Sequence, residues 1–198
     1  MAQRRAEETR QRILTAAGEC FARYGYDGTG VAQICECAGV TKGAFYHHFP
    51  TKPAVFLELL HRWLDTLDVQ LAAARGEAAT VPDALLNMAA GAGHIFRDAH
   101  GQLPMFLEFW TQASQHPEFW QETIAPYRSY QASFEAMIEA GIAEGSLRPV
   151  NPATAARSIV ALAVGTILQG LLDPQGADWG RVMEDGMQLI LDGLRTKD

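Results

Sequence analysis

The sequence predicts an all-α protein with about nine helices. Apolar residues recur at i, i+3, i+4 and i+7 through most of the chain, which is the spacing of one buried helix face. Glycine or proline stands at the junctions between these periodic segments, where helices begin and end. The 198 residues allow one or two domains, and a hydrophobic content of 48% is enough for a sizeable core.

The N-terminal segment contains three predicted helices. The first covers residues 9–24 and is ended by Gly25. The second covers residues 31–38, and the third follows Thr41, whose hydroxyl is suited to cap it. Because Gly39 lies in the short turn between the second and third helices, their spacing is that of a helix-turn-helix.

The third helix has two different sides on a helical wheel. Phe45 and His48 fall on one side, which we expect to pack inward. The other side carries a lysine, whose charge suits a phosphate, and a tyrosine and a histidine, which suit phosphates or base edges. It also carries a glycine, which permits close approach of the backbone. These outward residues are Lys42, Gly43, Tyr46 and His47. We interpret this side as a DNA-recognition surface; the alternative is the solvated face of an ordinary helix pair.

The segment from Thr9 to Phe56 resembles the tetracycline-repressor (TetR) family of bacterial transcription regulators. The resemblance rests on TRQRILTAAGECFARYGYDGTG and, after the first helix of the pair, on AGVTKGAFYHHFPTKPAVF. It implies an all-α fold with an N-terminal three-helix DNA-binding head, which we place at residues 1–51. It also implies a larger helical body for effector binding and dimerisation, at residues 52–198.

Two positions depart from the family pattern. Gly30 stands where Ser or Thr usually caps the first helix of the pair and often touches phosphate, and we expect the preceding Thr29 to substitute. Cys35 stands where Ala is usual, a small substitution that we expect to be buried. The residues predicted to contact DNA are Thr29, Gly30, Thr41, Lys42, Gly43, Tyr46, His47 and Lys52.

The charge distribution agrees with DNA binding, although the net charge of −7 does not suggest it. Residues 1–52 carry seven basic and five acidic side chains, which leaves nine of the 16 basic and 18 of the 23 acidic residues for the rest of the chain. The head is therefore basic and the body acidic. Arg4, Arg5, Arg10 and Arg12 form either a flexible arm for the minor groove or an ordinary solvated terminus.

Four helices are predicted in the first part of the body. The fourth helix of the chain starts at residues 51–53, with proline at an early position where its missing N–H costs nothing. The fifth opens at Pro82 and runs to about residue 99, the sixth opens at Pro104, and the seventh opens at Pro117. Their aromatic, thioether and sparse polar side chains have the composition of a ligand pocket, and equally of an ordinary core.

The family resemblance favours a pocket on these four helices. Gly91 and Gly93 leave space on the fifth helix near His94. We expect a small, largely apolar effector with one polar group. The residues predicted to bind it are Trp63, Met88, His94, Phe106, Trp110 and Tyr127.

The last two predicted helices begin at Pro152 and near Asp178. The centre of the first, SIVALAVGTILQGLL, is apolar on almost all sides and needs cover on more than one side. A second copy of the chain would supply it, as the family resemblance also implies; a core helix of a monomer is the alternative. The residues predicted at the dimer interface are Ala161, Gly165, Leu168, Leu172, Met183 and Ile190.

Several kinds of site are not indicated by the sequence. Three cysteines, Cys20, Cys35 and Cys37, give an odd count without a second C-x-x-C pair, so we expect neither a disulfide framework nor a structural zinc site. Buried or unreactive thiols are a simpler interpretation than a redox switch at Cys35 and Cys37. We find no phosphate loop, zinc-protease motif or nucleophile elbow, and we predict no metal, cofactor or catalytic residue.

Three classes of function follow from these patterns. The one favoured is a repressor that binds a palindromic operator as a homodimer and responds to an effector. The alternatives are a DNA-binding protein without an effector and a small helical enzyme. No apolar run reaches the roughly 18 uncharged residues of a membrane span, and the N-terminus has no signal-type stretch, so we expect a cytoplasmic protein.

Overall fold

The computed structural model describes residues 2–76, 78–97 and 102–196, except for the side chains of residues 2, 92–97, 102–106 and 118. Within these residues the chain forms nine helices and no strand. The helices are α1 (Ala2–Gly28), α2 (Val31–Ala38), α3 (Lys42–His48), α4 (Lys52–Gly76), α5 (Val81–Arg97), α6 (Gln102–Gln115), α7 (Pro117–Ala143), α8 (Pro152–Leu172) and α9 (Trp179–Leu194). The predicted all-α class and the number of helices are confirmed.

The residues at the helix ends show why the boundaries were readable. Gly25 has φ 74° and ψ 168°, which interrupts the regular part of α1 where the sequence predicts its end. The predicted bounds of 9–24 were too short, because α1 begins at Ala2 and continues past this interruption to Gly28. Asn151 and Asp178 cap α8 and α9, each accepting a hydrogen bond from a backbone N–H of the first turn. Thr51 Oγ1 accepts from the N–H of Ala54, 3.2 Å away, at the start of α4.

The chain divides into two compact units. The N-terminal unit comprises Met1–Asp65 and Pro104–Thr123, and the C-terminal unit comprises Thr66–Leu103 and Ile124–Asp198. The N-terminal unit thus extends beyond the predicted head at residues 1–51 and includes most of α6. The predicted boundary concerns function and stays a prediction.

The N-terminal unit has a core rich in aromatic rings. The ring of Phe56 on α4 lies 5.4 Å from that of Phe21, 4.7 Å from that of Tyr26 and 4.6 Å from that of Phe109, measured between centroids. Phe45 of α3 is fully buried in the same core. These contacts hold α1, α3, α4 and α6 together, so the short helices of the head rest on a rigid support.

The C-terminal unit packs α9 against both α5 and α8. Its core includes Leu85 of α5, Ile138 of α7, Ile159 of α8 and Leu191 of α9. The chain end is tied to the α7–α8 loop, because the N–H of Arg148 donates to the carbonyl of Leu194 over 2.8 Å. A single bridge between Leu147 and Arg195 adds to this link.

Within the described residues, α8 alone is long and apolar enough to cross a membrane by length and composition, with a mean hydropathy of 1.6. The sequence was expected to contain no uninterrupted apolar run of membrane-spanning length. That expectation holds for α8 only because Arg157 interrupts its apolar residues. Core helices pass the same test, and Ile159, Val160 and Ile167 of α8 are buried. The composition of α8 therefore fits a helix packed on protein.

Candidate nucleic-acid interface

The two sides of α3 lie as the helical wheel predicts. Phe45 is fully buried, while Lys42, Gly43, Tyr46 and His47 are exposed. Tyr46 is exposed over half of its surface and lies edge-on to the Phe45 ring, with the centroids 5.4 Å apart. The buried phenylalanine fixes the rotation of the helix, so the polar side chains must face solvent.

Thr41 begins this helix as predicted. Its Oγ1 accepts a hydrogen bond from the N–H of Ala44 over 3.1 Å, which satisfies one of the unpaired donors of the first turn. His48, which the helical wheel places inward with Phe45, is only half-buried. It lies beside His47, with the two ring centroids 5.2 Å apart.

The turn between α2 and α3 depends on Gly39 and on an arginine from α1. Gly39 has φ 62° and ψ 41°, the left-handed conformation that ends many helices. Arg12 Nη2 donates to the carbonyls of Ala38 and Gly39 over 2.6 and 2.9 Å. A cation thus holds the negative end of α2 and connects α1 to the turn that precedes α3.

Gly30 is the N-cap of α2, with extended backbone and no side-chain cap. It is exposed, and a Cβ at this position would meet no atom within 4 Å. The start of α2 is therefore open to solvent, and the phosphate contact expected at Gly30 stays a prediction.

Thr29 requires a correction. It is predicted to supply a phosphate-binding hydroxyl, but the residue is 1% exposed. Its Oγ1 is hydrogen-bonded to the carbonyls of Gly25, over 2.7 Å, and of Cys20, over 3.1 Å. The hydroxyl is therefore used inside the head, where it ties the residue after α1 to two carbonyls of that helix.

Lys52 also requires a correction. Its Nζ donates to the carbonyls of Tyr26 and Thr29 over 2.8 and 3.1 Å and lies 4.0 Å from the centroid of the Tyr26 ring. Desolvation by burial lowers the pKa of this ammonium, and the nearby carboxylates of Asp27 and Glu108 oppose that effect. Two of the three N–H donors of Lys52 are therefore used within the fold, where they tie α4 to the last turn of α1 and to Thr29.

Two side chains of α6 hold the last turn of α1, which Lys52 also contacts, and sequence reasoning did not predict this. Glu108 Oε1 accepts a hydrogen bond from the N–H of Tyr26 over 2.8 Å. Gln112 is buried, and its Nε2 donates to Glu108 Oε1 over 3.0 Å. Two polar residues among the aromatic residues of α6 could have indicated a buried polar contact. Their partner could not be predicted, because it lies more than 80 residues away in the sequence.

The N-terminal arginines are only partly available for a minor-groove arm. Arg10 pairs with Glu58 over 2.7 Å and lies above the Phe49 ring, and Arg12 caps α2. Arg4 pairs with Glu8 on the exposed first turns of α1. At least two of the four arginines are therefore fixed within the head.

The residues predicted to bind an effector are distributed over both units. Trp63 and Trp110 belong to the N-terminal unit, and Met88 and Tyr127 to the C-terminal unit. Trp63 packs against the N-terminal core and Met88 against the C-terminal core. Two further predicted residues, His94 and Phe106, have side chains outside the described part of the chain. The effector site stays a prediction.

The residues predicted at a dimer interface fall into two groups. Leu168 and Leu172 on α8 are exposed large apolar residues, Ala161 is exposed, and Gly165 is half-exposed. In contrast, Met183 is 2% exposed within the core of its own chain, and Ile190 is half-buried against that core. Met183 is therefore a core residue here, because its position on α9 faces α5 and α8.

Two family models match the sequence and together cover most of it. Residues 13–59 match the bacterial regulatory proteins of the tetR family, and residues 97–194 match the C-terminal region of BetI-type transcriptional repressors. The chain belongs to the TetR family. This is a family of transcription regulators and not of enzymes, which agrees with the absence of catalytic motifs from the sequence.

Individual relatives are similar over the head or in overall fold. The transcriptional repressor AcnR from Corynebacterium jeikeium is 46% identical over 54 residues, which is 27% of this chain and 29% of AcnR. The chain thus matches less than a third of the length of that relative. A transcriptional regulator from Saccharomonospora viridis, solved in complex with choline, has a TM-score of 0.83 at 22% identity and covers 96% of this chain and 100% of its own.

A TetR-family regulator from Cytophaga hutchinsonii has a TM-score of 0.81 at 24% identity, with 98% of both chains covered. At these identities the two solved structures show a common fold. They confirm an N-terminal helix-turn-helix head followed by a helical body.

Proposed function

We propose that this chain is a DNA-binding transcriptional repressor that acts as a homodimer on a palindromic operator and is released by a small effector. The observation that carries the proposal is the exposed side of α3, where Lys42, Gly43, Tyr46 and His47 stand above a buried Phe45. Family membership supports DNA binding, and the named repressors among the relatives support repression. Such a protein acts in the cytoplasm, where its DNA is.

The exposed residues divide between phosphates and bases. Lys42 stands at the start of α3 and brings charge toward the phosphate backbone, and the Tyr46 hydroxyl is suited to a second phosphate. Gly43 and His47 are placed to approach base edges in the major groove. Gly30 offers its backbone at the start of α2. Thr29 and Lys52 contribute by holding the connection between α1 and α2.

The dimer is proposed from the exposed apolar residues of the last two helices. Leu168 and Leu172 of α8 and Val182 and Leu189 of α9 are large, apolar and exposed in the single chain. A recognition helix of seven residues reads only a few base pairs, so two copies on two half-sites supply the specificity that one lacks.

The effector is proposed to be small and largely apolar, with one polar or charged group. Half-exposed tryptophans, such as Trp63 and Trp110, are suited to apolar groups and to methylated ammonium groups through cation–π attraction. Choline, which the Saccharomonospora viridis regulator binds, is therefore the first compound to test. Because α4 contributes residues to both units, we propose that an effector acts on the head through this helix.

The DNA-binding proposal is tested by selecting bound duplexes from a random pool. The expected result is an enriched inverted repeat whose half-sites lie about one helical turn apart. Replacing Lys42 by Ala should weaken binding to all sequences and reduce the salt slope by about 0.9 per lysine removed. Recovery of no enriched sequence, or of a single unrepeated site, would contradict the proposal.

A thermal-shift screen tests the effector. A ligand of the folded state raises the melting temperature by mass action, so choline and apolar amines are screened at increasing concentration. A compound that raises the melting temperature should also release the selected duplex. If no compound does both, the constitutive DNA-binding protein becomes the better description.

A further inference from the structure

Two cysteines from different helices of the head lie in contact. The Sγ atoms of Cys20 on α1 and Cys37 on α2 are 3.6 Å apart, and the thiols form a hydrogen bond. Cys20 is buried, whereas Cys37 is exposed. The Cys37 thiol is therefore accessible to a dissolved oxidant, and the buried Cys20 thiol is in contact with it.

The third cysteine is a natural internal control. Cys35 is buried on α2, two residues from Cys37. Side chains at i and i+2 of a helix do not face each other, so Cys35 and Cys37 are not suited to pair. The sequence favoured idle thiols and gave a redox pair at Cys35 and Cys37 only as the alternative; in the structure the partner of Cys37 is Cys20.

We propose that Cys20 and Cys37 form a redox-active pair, which a hydroperoxide converts to a disulfide that weakens operator binding. Cys37 loses its proton to water, and the thiolate attacks the outer oxygen of the peroxide. The O–O bond breaks, that oxygen and its hydrogen stay on Cys37 as a sulfenic acid, and the leaving alkoxide or hydroxide takes a proton from water to give an alcohol or water. The Cys20 sulfur then attacks the Cys37 sulfur. The S–O bond breaks, and the hydroxyl leaves as water with the Cys20 proton, so the two thiols are oxidised and the peroxide is reduced.

The environment of Cys20 fits its role as the second thiol to react. Burial, with the hydrogen bond to Cys37 and nearby negative charge, raises the pKa of Cys20 to about 11. Cys20 is therefore a protected, protonated thiol that does not react with peroxide first. It reacts when an electrophilic sulfenic acid forms next to it.

The disulfide would move α2 relative to α1. An S–S bond is about 2.05 Å long, so the two sulfurs must approach by about 1.5 Å. The recognition helix follows α2 after three residues, and Arg12 of α1 holds the turn between them. Hydrogen bonds to base edges tolerate only a few tenths of an ångström, so a shift of α2 by part of this distance displaces α3 from its site. This regulatory half rests on the proposed DNA binding.

The chemical half is tested by peptide mapping of the full chain under non-reducing conditions. Reduced protein is treated with hydrogen peroxide at low molar excess and digested after free thiols are blocked. We expect a cross-linked peptide pair containing Cys20 and Cys37, lighter by about 2 Da than the two free peptides together. Cys35→Ala should give the same product, and Cys37→Ser should give none.

Cys20→Ala should stop the reaction at the sulfenic acid, which a dimedone probe labels on Cys37. If this variant folds poorly, the exposed Cys37→Ser change still decides the matter. A Cys35–Cys37 bond, or Cys37 oxidised beyond the sulfenic acid without a cross-link in the wild type, would overturn the proposal.

The regulatory half is tested on the selected operator duplex at fixed salt. Oxidation should weaken binding by about tenfold or more, the loss expected when at least one good base contact is lost. Dithiothreitol should restore it, and Cys37→Ser should bind equally well with and without peroxide. A mapped disulfide with unchanged affinity overturns the regulatory half. If reduced protein binds no duplex, the proposed function fails, whereas peptide mapping still decides whether the thiol pair is redox-active.

Discussion

At the scale of single residues, position decides what a charge does. Lys42 and Lys52 are ten residues apart and both stand at the start of a helix of the head. The Lys42 side chain is exposed, whereas the ammonium of Lys52 lies between two backbone carbonyls and the Tyr26 ring. The first lysine is therefore suited to DNA, and the second to the fold.

Lys52→Ala should therefore lower stability more than it changes the salt dependence of DNA binding. Loss of the two charged hydrogen bonds should cost about 2 kcal/mol. Lys42→Ala is the matched control, and its stability should stay within about 0.5 kcal/mol of the wild type. Denaturant unfolding and salt titration of operator binding measure the two effects. An unchanged stability in Lys52→Ala, with a reduced salt slope, would return Lys52 to the DNA contacts.

Glu58 should make the head sensitive to acid. Burial raises the pKa of this carboxyl, but hydrogen bonds and charge from Arg10 and Arg62 outweigh it and hold the pKa below its ordinary value. Its stabilising contribution is therefore present above an unfolded pKa of about 4.3 and is lost as the pH falls through the lower folded pKa.

The test compares thermal melts of the wild type and Glu58→Gln between neutral and strongly acidic pH. The wild type should be more stable by about 1 kcal/mol at neutral pH, as for a partly exposed ion pair, and the difference should disappear in acid. A difference that is independent of pH would show that the contribution is not ionic.

At the scale of elements, the helix-turn-helix contains two glycines with different purposes. Gly39 ends α2 in a left-handed conformation, and a Cβ there would lie 2.8 Å from Arg12 Nη2. Gly43 lies in the first turn of α3, and a Cβ there would meet Thr41 Oγ1 at an ordinary 3.8 Å. The turn requires Gly39. The fold does not require Gly43, which lies on the side of α3 that we propose approaches DNA.

Gly39→Ala should destabilise the protein by about 1–2 kcal/mol, because alanine is strained at positive φ and displaces the Arg12 cap. Gly43→Ala should leave stability unchanged or raise it by up to about 1 kcal/mol, since alanine favours helix. The same Gly43 change should weaken specific binding more than non-specific binding. Equal effects of the two substitutions on stability would contradict this assignment.

At the scale of the whole molecule, the single chain leaves apolar surface uncovered on its last two helices. Leu172 of α8 is 75% exposed and Leu189 of α9 is 74% exposed. A monomer gains nothing from these side chains, whereas a second copy would bury them. The proposed dimer would therefore explain why these two apolar side chains are exposed in the single chain.

Replacing Leu172 or Leu189 by Glu should therefore produce a folded monomer. Each side chain is exposed in the single chain, so the fold tolerates the charge, but burial at an interface would cost several kcal/mol. Val69→Glu on α4, at a residue 70% exposed, is the matched control and should stay dimeric. Light scattering measures the mass, and circular dichroism checks the helices. Dimers from both leucine variants would place the interface elsewhere.

The sequence by itself determined the number of helices, most of their ends to within a few residues, and the outward side of α3. These features are local: the period of apolar residues sets a helix and its buried face, and Gly25, Gly39, Thr41 and Asp178 act on the backbone within a few residues. The family resemblance in the head was likewise carried by one continuous segment.

Only the tertiary structure decided which polar groups of the head are already in use. Lys52 binds carbonyls 23 and 26 residues away, Arg12 binds carbonyls 26 and 27 residues away, and Cys37 meets Cys20 across 17 residues. Met183 likewise became a core residue through the packing of α9 on other helices. A one-dimensional pattern states that a side chain faces inward or outward, but the partner it meets depends on how helices distant in sequence pack together.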